Sequence, residues 1–420
     1  MWQSDRALTL PVLPDPKQSF LPYGNGRSYG DSCLNQGGIA LKTRKLDRFI
    51  RFDVHAGILS CESGVLLAEI LRLIVPQGWF LPVTPGTRFA TVGGAIANDV
   101  HGKNHHVTGT FGNHIRQFEV LRSDGQRLCC SPNENADYYA ASIGGLGLTG
   151  LITWAELQLR WIGNPWLDVE TIRYDSLSEF FALCLASDRD YEYTVSWVDC
   201  SGQGKRLGRG LFMRGNHAPL GATHGKYSAR IRTFPLVPPI SLVNPFTLKA
   251  FNTFYYHRQL AKRTRQIQHY EPFFYPLDGL LEWNRIYGPR GFYQYQCVMP
   301  HRAGELAVTE LLKEIAKSGM GSFLAVLKLC GDMPSPGMLS FPMPGVSLAL
   351  DFPNRGEVLQ QLFSRLDAIV SSAGGRLYPA KDGRMPGSLF RSGYSRWPEF
   401  KRFIDPRFSS SFWRRVMEDV

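Results

Sequence analysis

The sequence predicts an α+β protein of two or three domains, and three observations carry that expectation. The 420 residues amount to nearly three times the roughly 150 residues of an ordinary domain. Within the first 160 residues, short extended segments closed by turn residues are interleaved with segments of helical spacing, an α+β layout. The composition, 44% hydrophobic, 12% aromatic and 20% charged, is that of a folded globular chain and excludes disordered, collagen-like and coiled-coil classes.

In chain order, 39–41, 49–52 and 58–61 read as short strands. Leu66, Leu67, Ile70, Leu71 and Ile74 then fall at helical spacing, Gly78 stops that helix, and 79–81 resumes extended structure. After a glycine-rich stretch ending at Gly112, 115–121 alternates as a strand, Asp124-Gly125 is a hairpin turn and 127–130 returns. A helix over 137–142 and a strand over 151–159 follow. The texture changes at Asn164-Pro165, and the next strand candidates are 193–198, 292–298 and 346–352. The compact, aromatic remainder ends in a helix. The expected division is therefore 1–163, 164–373 and 374–420.

The net charge of +11 is concentrated in one place. Between Cys200 and Tyr270 there is no acidic residue but there are twelve basic ones, leaving 35 basic against 36 acidic residues elsewhere. Aromatic residues and prolines accompany these cations, notably Phe234, Pro235, Pro238, Pro239, Phe246, Phe251, Phe254, Tyr255 and Tyr256. That mixture suits a phosphate-bearing substrate, an anionic membrane surface or nucleic acid, and an ordinary solvated loop would also carry it. No nucleic-acid-binding motif accompanies the charge, so no nucleic acid is expected as a partner. No run approaches the ~18 to 20 apolar residues of a bilayer span, and residues 1–6 lack a secretory pattern, which points to the cytoplasm. Eight cysteines at irregular spacing, with no Cys-x-x-Cys pair, read as buried thiols; the adjacent Cys129 and Cys130 would face opposite ways on a strand.

Three glycine-rich segments carry the chemistry. In Pro22-Tyr23-Gly24-Asn25-Gly26-Arg27-Ser28-Tyr29-Gly30-Asp31, glycines permit positive φ, so successive backbone N–H groups can converge on an anion such as a pyrophosphate. Pro85-Gly86-Thr87-Arg88 and the run from Thr91 through Gly93, Gly94, Asn98, His101 and Gly102 to Asn104 put small residues where a planar or phosphorylated ligand could touch the backbone. Gly144 to Gly150 contains a literal G-x-G-x-x-G at Gly145, Gly147 and Gly150. It is not a nicotinamide-dinucleotide fingerprint, which must follow a strand and open a helix; here a helix precedes and a strand follows. The histidines at 101, 105, 106 and 114 match no metal-site spacing, and no metal is expected.

These segments, with Phe111-Gly112-Asn113-His114, Pro276-Leu277-Asp278, Glu282-Trp283-Asn284-Arg285, Gln294-Tyr295-Gln296, Lys328-Leu329, Asp351-Phe352-Pro353 and Leu377-Tyr378-Pro379-Ala380-Lys381-Asp382, resemble the vanillyl-alcohol oxidase family. This is also called the p-cresol methylhydroxylase (PCMH) type of FAD-linked oxidoreductase. The likeness is strongest to its decaprenylphosphoryl-ribose 2′-oxidase group and covers the chain from about residue 22.

The resemblance implies a two-lobed PCMH-type FAD-binding domain, an α+β substrate cap with an antiparallel sheet, and a C-terminal segment returning to the flavin. Cofactor contacts would come from Gly24, Asn25, Gly26, Arg27, Ser28, Tyr29, Gly86, Thr87, Thr91, Gly93, Gly94, Asn98, His101, Gly102, Gly145, Gly150 and Tyr378. Many relatives bond a first-loop histidine covalently to flavin; Arg27 stands there, so non-covalent FAD is implied. Phe274, Gln294, Gln296, Lys328 and Lys381 would line the substrate site. Oxidising a secondary alcohol needs a hydride acceptor, a proton acceptor and positive charge where electrons collect. Lys381 suits the last role, with His101 or Tyr29 as proton acceptor.

The implied reaction is 2′-oxidation of a polyprenyl-phosphoryl pentose to the keto sugar, with a partner reductase and a peripheral contact of 200–270 with the inner face of the membrane. A sugar-lactone oxidase using oxygen, and a non-catalytic membrane- or nucleic-acid-binding protein, are the other readings. Three departures bear on substrate rather than cofactor. Ser347 and Ala349 stand where actinobacterial relatives carry asparagine and cysteine, and Phe274 where tyrosine is usual. Relatives also carry a further strand and helix ahead of Pro22, so either the start is late or the fold tolerates their loss.

Overall fold

Two antiparallel sheets organise the computed structural model, which describes residues 9–11, 15, 17–222, 227–228 and 231–418. Residues 1–6 and the basic Lys226 and Arg230 lie outside the described residues. The first sheet has five strands in the order Phe49–Asp53, Ile58–Glu62, Leu151–Gln158, Ile115–Leu121 and Arg127–Cys130. The second has eight, in the order Arg263–His269, Trp166–Tyr174, Gly210–His217, Tyr193–Val198, Val326–Cys330, Gly345–Pro353, Phe292–Pro300 and Arg376–Leu377. The α+β expectation holds.

The sequence pattern accounts for the elements of the first sheet and its helix. Leu67, Ile70, Leu71 and Ile74 are the buried face of helix Leu67–Ile74. Its N-terminus is closed by Glu69, whose Oε2 accepts the Leu66 N–H at 2.7 Å. Gly78, at φ 81°, follows a short 3₁₀ turn over Val75–Gln77 and ends the helical stretch. The glycine turn 144–150 does connect helix Ala136–Ser142 to strand Leu151–Gln158, with Gly144, Leu146, Gly147 and Gly150 all at positive φ. Cys130 is buried on its strand while Cys129 is part-exposed, and all eight cysteines are free.

The eight-stranded sheet has two different faces. Val346, Leu348 and Leu350 point into a core shared with Leu327, Val308, Leu311, Leu362 and Phe363, the last four from helices His301–Ser318 and Glu357–Ser372. With a period of two, Ser347 and Ala349 face the other way, and there the sheet roofs a cavity. Truncating one of the core leucines to alanine would cost about 2–5 kcal/mol. Strands Trp166–Tyr174, Gly210–His217, Val326–Cys330 and Arg263–His269 were not among the expected elements. The last is Arg-Thr-Arg-Gln-Ile-Gln-His, which has no apolar alternation to reveal it and is held by pairing with Trp166–Tyr174.

That pairing adds partners to the basic segment. Glu170 lies opposite both Arg214 and Arg265 in register. Arg214 bonds Glu170 at 2.5 Å, Arg265 bonds Asp168 at 2.5 Å, Lys262 bonds Glu179 at 2.8 Å and Arg209 bonds Asp199 at 2.8 Å. Acids from outside the segment thus neutralise part of its formal excess. The closing segment ties both halves together. Arg376–Leu377 joins the large sheet beside Phe292–Pro300, Phe408 packs against Phe20 at 5.7 Å, and Arg415 bonds Asp31 and Asp382 at 2.7 and 3.1 Å. Among the described residues no helix is long and apolar enough to cross a membrane.

Candidate functional site

A cavity of about 850 Å³ runs between the glycine loops and the open face of the large sheet. The loops are held by contacts that reach across the chain. Thr84 Oγ1 and Tyr275 Oη are 2.6 Å apart, Asp278 Oδ2 accepts the Arg88 N–H at 2.9 Å, and Arg88 pairs with Glu271 at 2.5 Å. On the other side, the Tyr29 N–H donates to Ala380 O at 3.0 Å and Tyr378 Oη donates to Asn98 O at 3.0 Å. The turn bearing Lys381 is therefore docked onto the first glycine loop.

Of the residues singled out in the sequence, Gly24 to Tyr29, Gly86, Thr87, Thr91, Gly93, Gly94, Asn98, His101, Gly102, Gly150 and Tyr378 all border this cavity, as do Phe274, Gln294, Gln296, Lys328 and Lys381. Gly145 does not. A Cβ there would meet Ala141 O at 2.1 Å and the Phe400 ring at 3.1 Å, so this glycine is required for packing of the turn, and its neighbours Leu146 and Gly147 face the cavity instead.

The lining fits a flavin dinucleotide. Gly24 and Gly26 admit no side chain, since a Cβ would fall 2.5 Å from Thr91 Oγ1 and 2.3 Å from Tyr23 Oη respectively, and Gly26 sits at φ +60°. Around Gly86 there is open space. Four buried polar atoms on the cavity wall, Ser63 Oγ, His101 Nδ1, Gln294 Oε1 and Ser347 Oγ, have no partner in the polypeptide. Buried polar groups are satisfied in native structures, so a ligand rich in donors and acceptors belongs there. Among the described residues no three His, Cys, Asp or Glu side chains are grouped to hold a metal. His105, His106 and His114 contact Gly331 N, Tyr191 O and Thr108 O at 3.2, 3.0 and 2.9 Å.

Electrostatics distinguish the candidate reactive groups. Lys381 Nζ lies 4.0 Å from the centroid of the Tyr29 ring. Burial lowers its pKa to about 8, with Asp351 opposing the fall. Asp351 is buried and accepts from Gln294 Nε2 at 2.7 Å; burial raises its pKa to about 6, against the Gln294 bond and Lys381. Burial, then Lys328, His105 and Lys381, hold the His101 imidazole well below its usual value, and its Nε2 is 3.2 Å from Gln296 Nε2. Tyr29 borders the cavity, but enclosure by protein and then Asp351 raise its phenol above the usual range. Sequence reasoning assigned no role to Asp351 or Ser63, set Lys103 among residues suited to an anionic or flavin ligand, and noted Ser347 only as a departure bearing on substrate. Asp351 lies inside a quoted motif, so the signal was present without a partner to interpret it.

Residues 7–131 match the FAD binding domain family. Over 408 residues the chain is 36% identical to decaprenylphosphoryl-beta-D-ribose oxidase of Mycolicibacterium smegmatis, covering 94% of this chain and 88% of that one. This chain belongs to the decaprenylphosphoryl-β-D-ribose oxidase family. It is 30% identical over 369 residues to an uncharacterized protein in the mprA 5′ region of Streptomyces coelicolor, covering 84% of this chain and all of that one. It is also 28% identical over 191 residues to cytokinin dehydrogenase 8 of Oryza sativa subsp. indica, covering 42% and 36%. As a member of this family the protein is an FAD-dependent oxidoreductase of the PCMH type.

Proposed function

We propose that the protein oxidises a secondary hydroxyl of a polyprenyl-phosphoryl pentose to the keto sugar, with FAD held non-covalently. The observation that carries this reading is the cavity that joins the glycine loops to Gln294, Gln296, Lys328 and Lys381, in a family whose M. smegmatis member is named for decaprenylphosphoryl-ribose. Residues 1–163 are taken as the cofactor domain, 164–373 as the substrate cap and 374–420 as the segment that returns Lys381 to the site.

FAD, when bound, supplies the acceptor for the hydride that leaves the carbinol carbon. The side chains must then orient the sugar and take the hydroxyl proton. His101 is a poor acceptor because burial and nearby cations suppress its protonation, and Tyr29 holds its own proton tightly. Lys381, whose pKa of about 8 lies nearest to neutrality among these three, accepts the proton in its neutral form. The resulting ammonium then stands beside the site where negative charge collects. Asp351 acts through Lys381 and Gln294 as a positioning residue. Gln294 and Gln296 offer amides to the sugar hydroxyls.

The unstable keto product calls for a reductase as partner. Exposed Ile240, Phe246, Phe254 and Leu260, near the cations Lys249 and Arg258, suit a peripheral contact with an anionic membrane. Anaerobic addition of polyprenyl-phosphoryl ribose should bleach the flavin's visible band, while free aldonolactones should not. Acid precipitation should release the yellow colour. Bleaching by lactones alone, or a colour that stays with the precipitated protein, would overturn the respective claim.

A further inference from the structure

Two half-buried lysines of the cavity have no counter-ion among the described residues. Lys103 donates to Phe273 O and lies 4.5 Å from the centroid of the Phe273 ring. Lys328 donates to Gly102 O at 3.1 Å. Among the described residues, neither stands within ion-pair distance of a carboxylate, whereas Arg209, Arg214, Lys262 and Arg265 are all paired. An ammonium has three donors, so each lysine retains donors for a ligand. Lys328 lies opposite Ser347 in register, and Ser347 Oγ is the buried hydroxyl without a partner. Two lysine amino groups and a hydroxyl therefore converge on one stretch of cavity wall.

The order of chemistry along the sheet is equally specific. The strand of Gln294 and Gln296 is separated from that of Lys328 by the strand of Ser347, and His101 stands at the Gln296 end, 3.2 Å from that amide. On the other side of Lys328 the cavity wall presents the apolar Val195, Trp197 and Met213, and only beyond them, on the two outer strands, the polar Thr171, Gln266 and Gln268. Val195 is opposite Met213 in register, and Trp197 is opposite Val326. That arm reaches Tyr255 and Arg258. Polar groups for a sugar, unpaired cations and then an apolar slot repeat the order pentose, phosphodiester and hydrocarbon chain.

Building on the substrate class proposed above, we propose that Lys103, Lys328 and Ser347 form the subsite for the substrate's phosphodiester. The first isoprene units then enter the slot over Val195, Trp197 and Met213. With the pyrophosphate of FAD assigned to Gly24, Gly26, Gly93 and Gly94, which line the cavity on the loop side, the lysine pair is left for substrate.

The test uses FAD-loaded enzyme, with Lys103→Met and Lys328→Met singly and together. Three probes are compared: farnesyl-phosphoryl ribose, methyl-phosphoryl ribose and uncharged methyl riboside. Each lysine lost should raise KM for both phosphorylated probes about tenfold or more, leaving FAD content and KM for methyl riboside unchanged. Val195→Trp should raise KM for the farnesyl probe but not for the methyl-phosphoryl one. Methyl phosphate should bind the wild type by calorimetry and fail to bind the double variant. Loss of FAD, an equal rise for charged and uncharged probes, or no rise at all would overturn the subsite. Equal effects of Val195→Trp on both phosphorylated probes would overturn the slot. A wild type inert to every riboside would sink the proposed substrate class, and methyl phosphate binding would still decide the subsite.

Discussion

Replacing Lys328 by methionine keeps the side chain's length, removes its ammonium and should stabilise the FAD-free polypeptide. Burial lowers the pKa of this lysine from 10.5 to about 8, and each unit corresponds to about 1.4 kcal/mol. Keeping the charge in the cavity at neutral pH therefore costs about 3 kcal/mol. Water in the cavity reduces that figure, and the bond to Gly102 O is lost in the variant, at about 1 kcal/mol. A net stabilisation of about 1–2 kcal/mol remains. Urea unfolding at pH 7 should show a higher midpoint with an unchanged slope.

The pH dependence supplies a second sign. The folded-state pKa lies below the unfolded value, so the penalty is complete below about pH 8 and vanishes as pH rises through 10.5. The variant's advantage should shrink over that interval. A variant less stable than wild type at pH 7, or an advantage that does not change with pH, would refute the assignment of Lys328 as a strained, unpaired cation.

With Lys381 as proton acceptor, the rate of flavin bleaching should rise with pH through an apparent pKa near 8; a limb falling there would mean that the charged form is required. Asp351→Asn removes the carboxylate that favours the Lys381 ammonium, so the limb should move to lower pH by about one unit, and an unmoved limb would exclude the coupling. Lys381→Ala should slow bleaching about a hundredfold or more while FAD content stays at the wild-type level; surviving turnover would remove Lys381 from the chemistry. Gly26→Ala forces a side chain to φ +60° and against Tyr23 Oη, so FAD affinity measured by flavin fluorescence should fall by about 1–2 kcal/mol, and unchanged affinity would mean this loop does not touch the cofactor. Replacing exposed Phe254 and Leu260 by serine should reduce flotation with anionic vesicles; equal flotation would place the membrane contact elsewhere.

Local pattern was sufficient where an element's own side chains decide its structure. Helix Leu67–Ile74 follows from the spacing of four apolar residues and a glycine stop, and strands Ile115–Leu121 and Tyr193–Val198 have the bounds that alternation implies. The glycine loops and the reversed order around Gly145 were also legible, because positive φ and the helix–strand order are local properties. By contrast, Gly145 looked like a ligand contact until Ala141 and Phe400 were seen against it. The basic segment showed only its formal charge until strand register set Glu170 between Arg214 and Arg265.

By itself the sequence, through its element order and the family resemblance carried by its motifs, implied an α+β flavoprotein, with the cofactor expected in the N-terminal turns and a lysine near the C-terminal end expected in the site. Tertiary structure decided which charges are free. It paired arginines such as Arg214 and Arg265, buried Asp351 beside Lys381, and left Lys103 and Lys328 facing the cavity with no ion-pair partner among the described residues. Charge is written in each residue, but its energy depends on partners and solvent brought together by residues far apart in the chain, and only folding specifies those.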